Sequence, residues 1–359
     1  MNDLAKLPVT VITGFLGSGK TTLIRHLMQN PQGKRLAVIV NEFGDVGVDG
    51  EILKSCAIPE CPEENILELA NGCICCTVAD DFIPTIEQLM DLPEKPDHIV
   101  IETSGLALPK PLLKAFDWPA IRSRITVDGV VALADAEAVA KGQFATDLDA
   151  VQAQREADEG IDHETPLSEL FKDQISCADI ILLSKADLAG EDGIEQARAT
   201  IEAEAPRKLP ILSMSEGVID PRVILGLEAA AEDDLDARPS HHEHHHHHDD
   251  DDHDHDHHHD HDHSHDEFDT IVVEMGEVSD PEALQNAIVK LARERNILRV
   301  KGYVAVEGKP MRMLVQAVGE RLRAQYDQPW GAQERKTALV VIAEHDNIDE
   351  QAIRAALGA

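Results

Sequence analysis

Residues 14–21 read Gly-Phe-Leu-Gly-Ser-Gly-Lys-Thr and fit the pattern G-x-x-x-x-G-K-[ST]. No other stretch limits the possible folds as strongly. Gly14, Gly17 and Gly19, with Ser18 among them, leave room for the backbone to curl around a phosphate and aim its N–H groups inward. Lys20 adds a cation for the outer phosphates, the Thr21 hydroxyl suits Mg²⁺, and Thr22 follows in the same turn. A β-rich run at 7–13 precedes the loop and a helical run at 21–29 follows it, so the positive end of the helix falls on the same spot. A chance glycine-rich turn would lack that strand–loop–helix setting.

Beyond the loop, apolar runs of strand length recur at 36–40, 98–101, 126–133 and 180–183, with helical stretches between them. Such alternation predicts an α/β fold, a P-loop NTPase parallel sheet flanked by helices. The 359 residues allow about two domains, and an apolar content of 43% is enough for their cores. One segment breaks the pattern. Residues 241–265 hold fifteen of the nineteen histidines and nine acids. They cannot bury a core, which predicts a disordered, solvated His/Asp-rich linker over 231–267 between parts at 1–230 and 268–359. In the last part, strands are expected at 270–275, 300–306, 311–318 and 338–342, with helices at 281–295 and 349–357. That pattern suggests a small α+β domain of ferredoxin-like βαββαβ type.

A triphosphate loop needs a second acid near Mg²⁺, at the end of a neighbouring strand. The run HIVIETSG at 98–105 supplies Glu102 directly after an apolar strand, and the Gly105 N–H suits a γ-phosphate. The tetrapeptide SKAD at 184–187 follows a later strand and is the candidate base-recognition element. The Asp187 carboxylate can accept from both the N1–H and the 2-amino group of guanine, while the Lys185 stem lies over the base plane. Adenine presents no such donor pair, which favours GTP. Ser184 stands where guanine-binding elements usually have Asn, and ATP stays open as the alternative.

The six cysteines are Cys56, Cys61, Cys73, Cys75, Cys76 and Cys177. Three fall in GCICC at 72–76, too close together for a disulfide framework. Cys73, Cys75 and Cys76 read as soft ligands for Zn²⁺ or Co²⁺, with a further ligand from elsewhere, and such an incomplete site favours transfer over permanent structure. A redox motif or tight packing is the bland alternative. Cys56 and Cys61 read as ordinary thiols and Cys177 as core. The tract histidines are His241, His242, His244, His245, His246, His247, His248, His253, His255, His257, His258, His259, His261, His263 and His265. They read as a low-affinity scavenger of divalent ions. His26, His98, His163 and His345 read as structural or surface residues.

The net charge is −36 and aromatics make up 3%. So acidic a chain repels nucleic acid and anionic membranes, and it offers few rings on which bases could stack. No run is long and apolar enough to span a membrane, the N-terminal stretch lacks a basic lead-in and a cleavage site, and clustered reduced thiols suit the cytoplasm.

Taken together, these segments resemble the CobW family of metal-handling P-loop GTPases, relatives of the nickel-insertion GTPases for urease and hydrogenase. The resemblance covers nearly the whole chain. It rests on GFLGSGKTTLIRHL at the phosphate loop, NEFGDVGVDG at 41–50, NGCICC at 71–76, ETSGLALPKPL at 102–112 and DGVVALADA at 128–136. SKAD, the histidine tract and LRVKGYVAVEGKPM at 298–311 complete it. It implies a GTPase coupled to a metal site, with 41–50 as first switch and Glu42, Asp45 and Asp49 as its candidate polar groups. Intrinsic turnover is expected to be slow, because no arginine finger is readable. The implied function is a GTP-dependent metallochaperone that binds Co²⁺ at the three cysteines and serves cobaltochelatase or another acceptor of cobalamin biosynthesis. A zinc chaperone or zinc-homeostasis GTPase, and a non-enzymatic histidine-rich metal buffer, are the alternatives.

Overall fold

A computed structural model describes residues 6–41, 65–68, 82–157, 165–239, 268–295, 297–331, 334–344 and 349–359. The chain divides into two compact units, Met1–Pro239 and Ser240–Ala359. Of the tract for which a disordered linker is expected, 231–267, residues 240–267 lie outside the described residues, whereas 231–239 are ordered and belong to the first unit, with Ala231 and Arg238 fully buried.

In the first unit, β1 (Leu7–Gly14) runs through the glycine loop into α1 (Lys20–Gln29). Next come β2 (Leu36–Val40), β3 (Ile66–Glu68) and β4 (His98–Glu102). After them follow β5 (Ile125–Asp135), β6 (Ile180–Ser184) and β7 (Ile211–Ser213). These strands form one parallel sheet in the order β3-β2-β4-β1-β5-β6-β7. β2, β4 and β6 are buried along their whole length, as unbroken apolar strands covered on both faces must be. Two apolar clusters make the core. One gathers Val9, Val11, Ile39, Ile99 and Ile101 with Phe82, Leu112 and Phe116. The other gathers Ala132, Ala134, Ile181 and Leu183 with Phe15, Leu170, Phe171 and Ile201.

β1 lies between β4 and β5. The chain leaves β1 toward β2 on one side and later builds β5, β6 and β7 on the other. The carboxyl end of β1 is therefore a topological switch point, where open α/β sheets hold their ligands.

The last stretch of this unit is sewn to the sheet by buried charges. Asp128 accepts the amides of Gly226, Leu227 and Glu228 at 2.6, 3.0 and 2.8 Å. Glu232 accepts from Thr126 Oγ1 at 2.6 Å and the Val127 amide at 2.9 Å. Arg238, fully buried, donates to Asp179 Oδ1 at 2.6 Å and to the Cys177 carbonyl.

In the second unit, β8 (Phe268–Met275) and helix Pro281–Arg295 precede β9 (Ile297–Val304), β10 (Met311–Val318), β11 (Arg321–Pro329) and β12 (Thr337–Glu344). Helix Glu350–Leu357 closes it. The antiparallel sheet has the order β11-β10-β9-β12-β8. β12 separates β8 from β9 in a split βαβ unit, but the element order is βαββββα, with β11 added and the second helix after the last strand, in place of the expected βαββαβ. Leu284, Ile288, Leu291, Ile353 and Leu357 of the two helices pack with Val273, Val300, Val315 and Val341 of the sheet.

Candidate functional site

The glycine loop connects β1 to α1, whose apolar residues Leu23, Ile24, Leu27 and Met28 are buried. Gly14 lies at φ +142°, and a Cβ there would come within 2.4 Å of the Leu133 carbonyl of β5. Only glycine lets the loop leave the sheet so close to its neighbour. Gly17 lies in the turn, and Gly19 caps α1 in the left-handed region.

Lys20 is buried, and its ammonium donates to the carbonyls of Gly14 at 2.9 Å and Phe15 at 3.2 Å. The cation is thus held at the centre of the loop. Ser18 Oγ is buried and has no hydrogen-bond partner among the described residues. Thr22 faces the turn at 215–218, because a Cβ on Gly217 would meet its methyl at 2.6 Å.

The parallel register sets Glu102, last residue of β4, opposite Ile12 of β1. Thr21 Oγ1 donates to Glu102 Oε1 at 3.1 Å. The two predicted Mg²⁺ ligands therefore meet at the switch point. Gly105 comes against the loop as well: a Cβ there would lie 2.7 Å from the Leu16 amide nitrogen. Its carbonyl accepts from Gln174 Nε2 at 3.2 Å. The oxygen pair, the orphaned Ser18 hydroxyl and the glycine-lined cradle fit a Mg²⁺–nucleotide.

The base-recognition element follows β6. Ser184 is buried, and its Oγ donates to the Ala134 carbonyl at 3.3 Å. Ser184 Cβ lies 3.9 Å from the position of a Cβ on Gly19, so this residue underlies the start of α1. Lys185 adopts φ 55°, ψ 35° and opens helix Ala186–Glu204. Asp187 is exposed in the first turn of that helix, and its carboxylate makes no hydrogen bond or ion pair among the described residues. It is open to the donors of a base.

Sequence reasoning missed Asp135. It ends β5 opposite Ser184, and Lys185 Nζ donates to its Oδ2 at 2.5 Å. Burial works to raise the Asp135 pKa, but the Lys185 and Thr146 side-chain bonds and the Ala138 amide outweigh it and hold the carboxyl below its ordinary value. An acid closing a long buried strand was the available signal.

Cys56, Cys61, Cys73, Cys75, Cys76, the switch acids Glu42, Asp45 and Asp49, and all fifteen tract histidines lie outside the described residues. So do His163 and His345. Among the described residues no group of three or more His, Cys, Asp or Glu could hold a metal ion. Cys177 is core, as expected, with burial pushing its thiol pKa up to about 12. His26 Nε2 pairs with the Ile219 carbonyl at 2.8 Å, and His98 is fully buried, both in structural settings. Among the described residues no helix is long and apolar enough to cross a membrane.

Comparison with known proteins bears on both units. Residues 8–212 match the family model "CobW/HypB/UreG, nucleotide-binding domain". Residues 268–359 match "Cobalamin synthesis protein cobW C-terminal domain". A protein named zinc chaperone CobW from Sinorhizobium sp. is 50% identical over 355 residues, covering 99% of this chain and 97% of that one. One of the same name from Pseudomonas aeruginosa is 49% identical over 358 residues, covering 98% and 91%. The zinc chaperone YjiA of Escherichia coli is 32% identical over 366 residues, covering 99% and 98%.

Proposed function

Since this chain belongs to the CobW/HypB/UreG family of P-loop GTPases, we propose that it is a metallochaperone in which the bound nucleotide sets the grip on one divalent cation. The observation that carries the nucleotide half is the convergence of Lys20, Thr21 and Glu102 beneath the glycine loop.

In this reading the loop amides and Lys20 bind the β- and γ-phosphates and hold them in line for attack by water. Thr21 and Glu102 hold Mg²⁺, which when bound neutralises charge on the phosphate oxygens. The Gly105 N–H faces the γ-phosphate, and Asp187 selects guanine over adenine. The contribution of these groups is positioning and charge stabilisation, so turnover is slow unless a partner adds to it.

The proposed cargo site is Cys73, Cys75 and Cys76, completed by a ligand from elsewhere, with the tract histidines as a reservoir. Zn²⁺ is the cargo we favour. Thiolates suit it, and the relatives at 50% and 49% identity are named zinc chaperones. Co²⁺ delivered to cobaltochelatase or another cobalamin-pathway acceptor is the second reading, favoured by the description of the family matching 268–359. Both operate in the cytoplasm, where thiols stay reduced.

Chelator competition for Zn²⁺ and Co²⁺, with and without Mg²⁺–GTP, tests the proposal. GTP should tighten metal binding in the wild-type chain and not in a Cys75→Ala/Cys76→Ala variant. Metal affinity indifferent to GTP, or a GTP effect that survives loss of both thiols, overturns the coupling.

A further inference from the structure

Asp135 is a buried carboxylate for which the phosphate and base contacts above have no use. It is completely buried at the end of β5. Its Oδ2 accepts from Lys185 Nζ at 2.5 Å and from Thr146 Oγ1 at 2.5 Å. Its Oδ1 takes the Ala138 amide at 3.2 Å, capping helix Ala136–Ala140. Lys185 Nζ also reaches Thr146 Oγ1 at 3.3 Å, so three side chains close one polar knot.

Two features show that the knot holds Lys185 in a set position. Lys185 lies in the left-handed region, which L side chains rarely adopt and which persists only where the surroundings over-determine it. Its ammonium is drawn across the end of β6 toward β5 instead of extending into water, and this aligns the four-carbon stem. Thr146 then carries the connection onward. Two residues before it, the Phe144 ring stacks on Phe15 of the phosphate loop at 5.9 Å between centroids. The base element and the phosphate loop are thereby joined through Asp135.

We propose that Asp135 is a positioning residue of the nucleotide site, one that fixes the Lys185 stem as an apolar platform for a purine base and ties it to the phosphate loop through Thr146 and Phe144. The inference rests on the nucleotide reading of the site. A stem lying on a ring face is indifferent to the substituents at the ring edge. Asp135 therefore contributes affinity common to all purines, and Asp187 contributes the selectivity.

The test is Mg²⁺-dependent binding of GDP and of IDP, which lacks the 2-amino group, to the full chain. Asp135→Asn keeps size and capping ability while removing the charge. It should weaken GDP and IDP alike by roughly tenfold, the scale of one charge-assisted hydrogen bond, and leave their ratio unchanged. Asp187→Asn should instead collapse the ratio. In a Lys185→Met background, Asp135→Asn should have no further effect, because it acts through the lysine. If Asp135→Asn fails to fold, Thr146→Val removes a donor from the same Oδ2, and it should weaken both nucleotides by a shared factor.

Wild-type affinity in either of those variants, a full additional loss in the Lys185→Met background, or a changed GDP/IDP ratio in Asp135→Asn overturns the inference. A wild-type chain that binds no GDP overturns the nucleotide reading along with it. Normal wild-type binding with an indifferent Asp135→Asn overturns this inference alone.

Discussion

Thr21 Oγ1 and Glu102 Oε1 sit 3.1 Å apart, the one on the first turn of α1 and the other at the end of β4, 81 positions along the chain. Glu102→Gln keeps the shape and an oxygen for Thr21 but removes the charge that draws Mg²⁺. We expect Mg²⁺ affinity in the nucleotide complex to fall roughly 10–100-fold. Binding of GDP in EDTA should change little. Mg²⁺ titration of the GDP complex against the EDTA control measures both.

Gly105→Ala places a methyl 2.7 Å from the Leu16 amide nitrogen, which is backbone and cannot swing away. The phosphate loop must shift to admit it. The expected stability loss is about 1–3 kcal/mol, with a disproportionate loss of GDP affinity. A thermal melt and a GDP titration on one sample separate the two effects. Unchanged GDP affinity would contradict the close approach.

His98 is neutral in the fold. Burial lowers its pKa to about 4, against the pull of Asp128 3.8 Å away, while Thr10 Oγ1 pairs with its Nε2 at 2.8 Å. The unfolded chain binds the proton more readily, near the ordinary value of about 6.5. Stability from this group is thus complete above about pH 6.5 and declines as pH falls toward 4, by about 3 kcal/mol over the full window. His98→Gln can still pair with Thr10 but does not titrate in this range. Urea melts from pH 7 to pH 4 should show a shallower acid decline in the variant.

Arg238→Met leaves the buried Asp179 carboxylate without its 2.6 Å partner. We expect a loss of about 3–5 kcal/mol. The double variant Asp179→Asn/Arg238→Met should recover part of it, because no uncompensated buried charge remains. Equilibrium unfolding of the wild type, the single variants Arg238→Met and Asp179→Asn, and the double variant completes the cycle, and additive losses would exclude the pairing.

Much of the sheet could be read before any coordinates, for a plain reason. β2 and β6 are almost wholly apolar, β4 has an apolar centre at 99–101 and β5 one at 130–134, and the glycine loop declares the strand before it and the helix after it. β3 and β7 escaped notice because three residues carry too little pattern. β11 escaped because its sequence RLRAQYDQP is mostly polar, as suits an edge strand with no fully buried residue. Lys20, Thr21 and Glu102 were legible because each sits next to an unmistakable local signal. The Lys185–Asp135 bond was not, since fifty positions separate the partners and only the parallel register of β5 and β6 brings them together. The cysteine motif and the histidine tract lie outside the described residues, and their reading stays with the sequence.

The seam from 226 to 238 determines where the first unit can be severed. Its stitches are Asp128, Glu232 and Arg238. A cut at 230, where composition alone would place it, sheds the second and third. It strands the Val127 amide without its carboxylate and takes from Asp179 its 2.6 Å guanidinium, leaving Arg207 at 3.8 Å as the nearby charge. A self-sufficient nucleotide-binding piece has to keep the chain through Pro239, so the histidine tract starts directly where the hydrophobic interior stops.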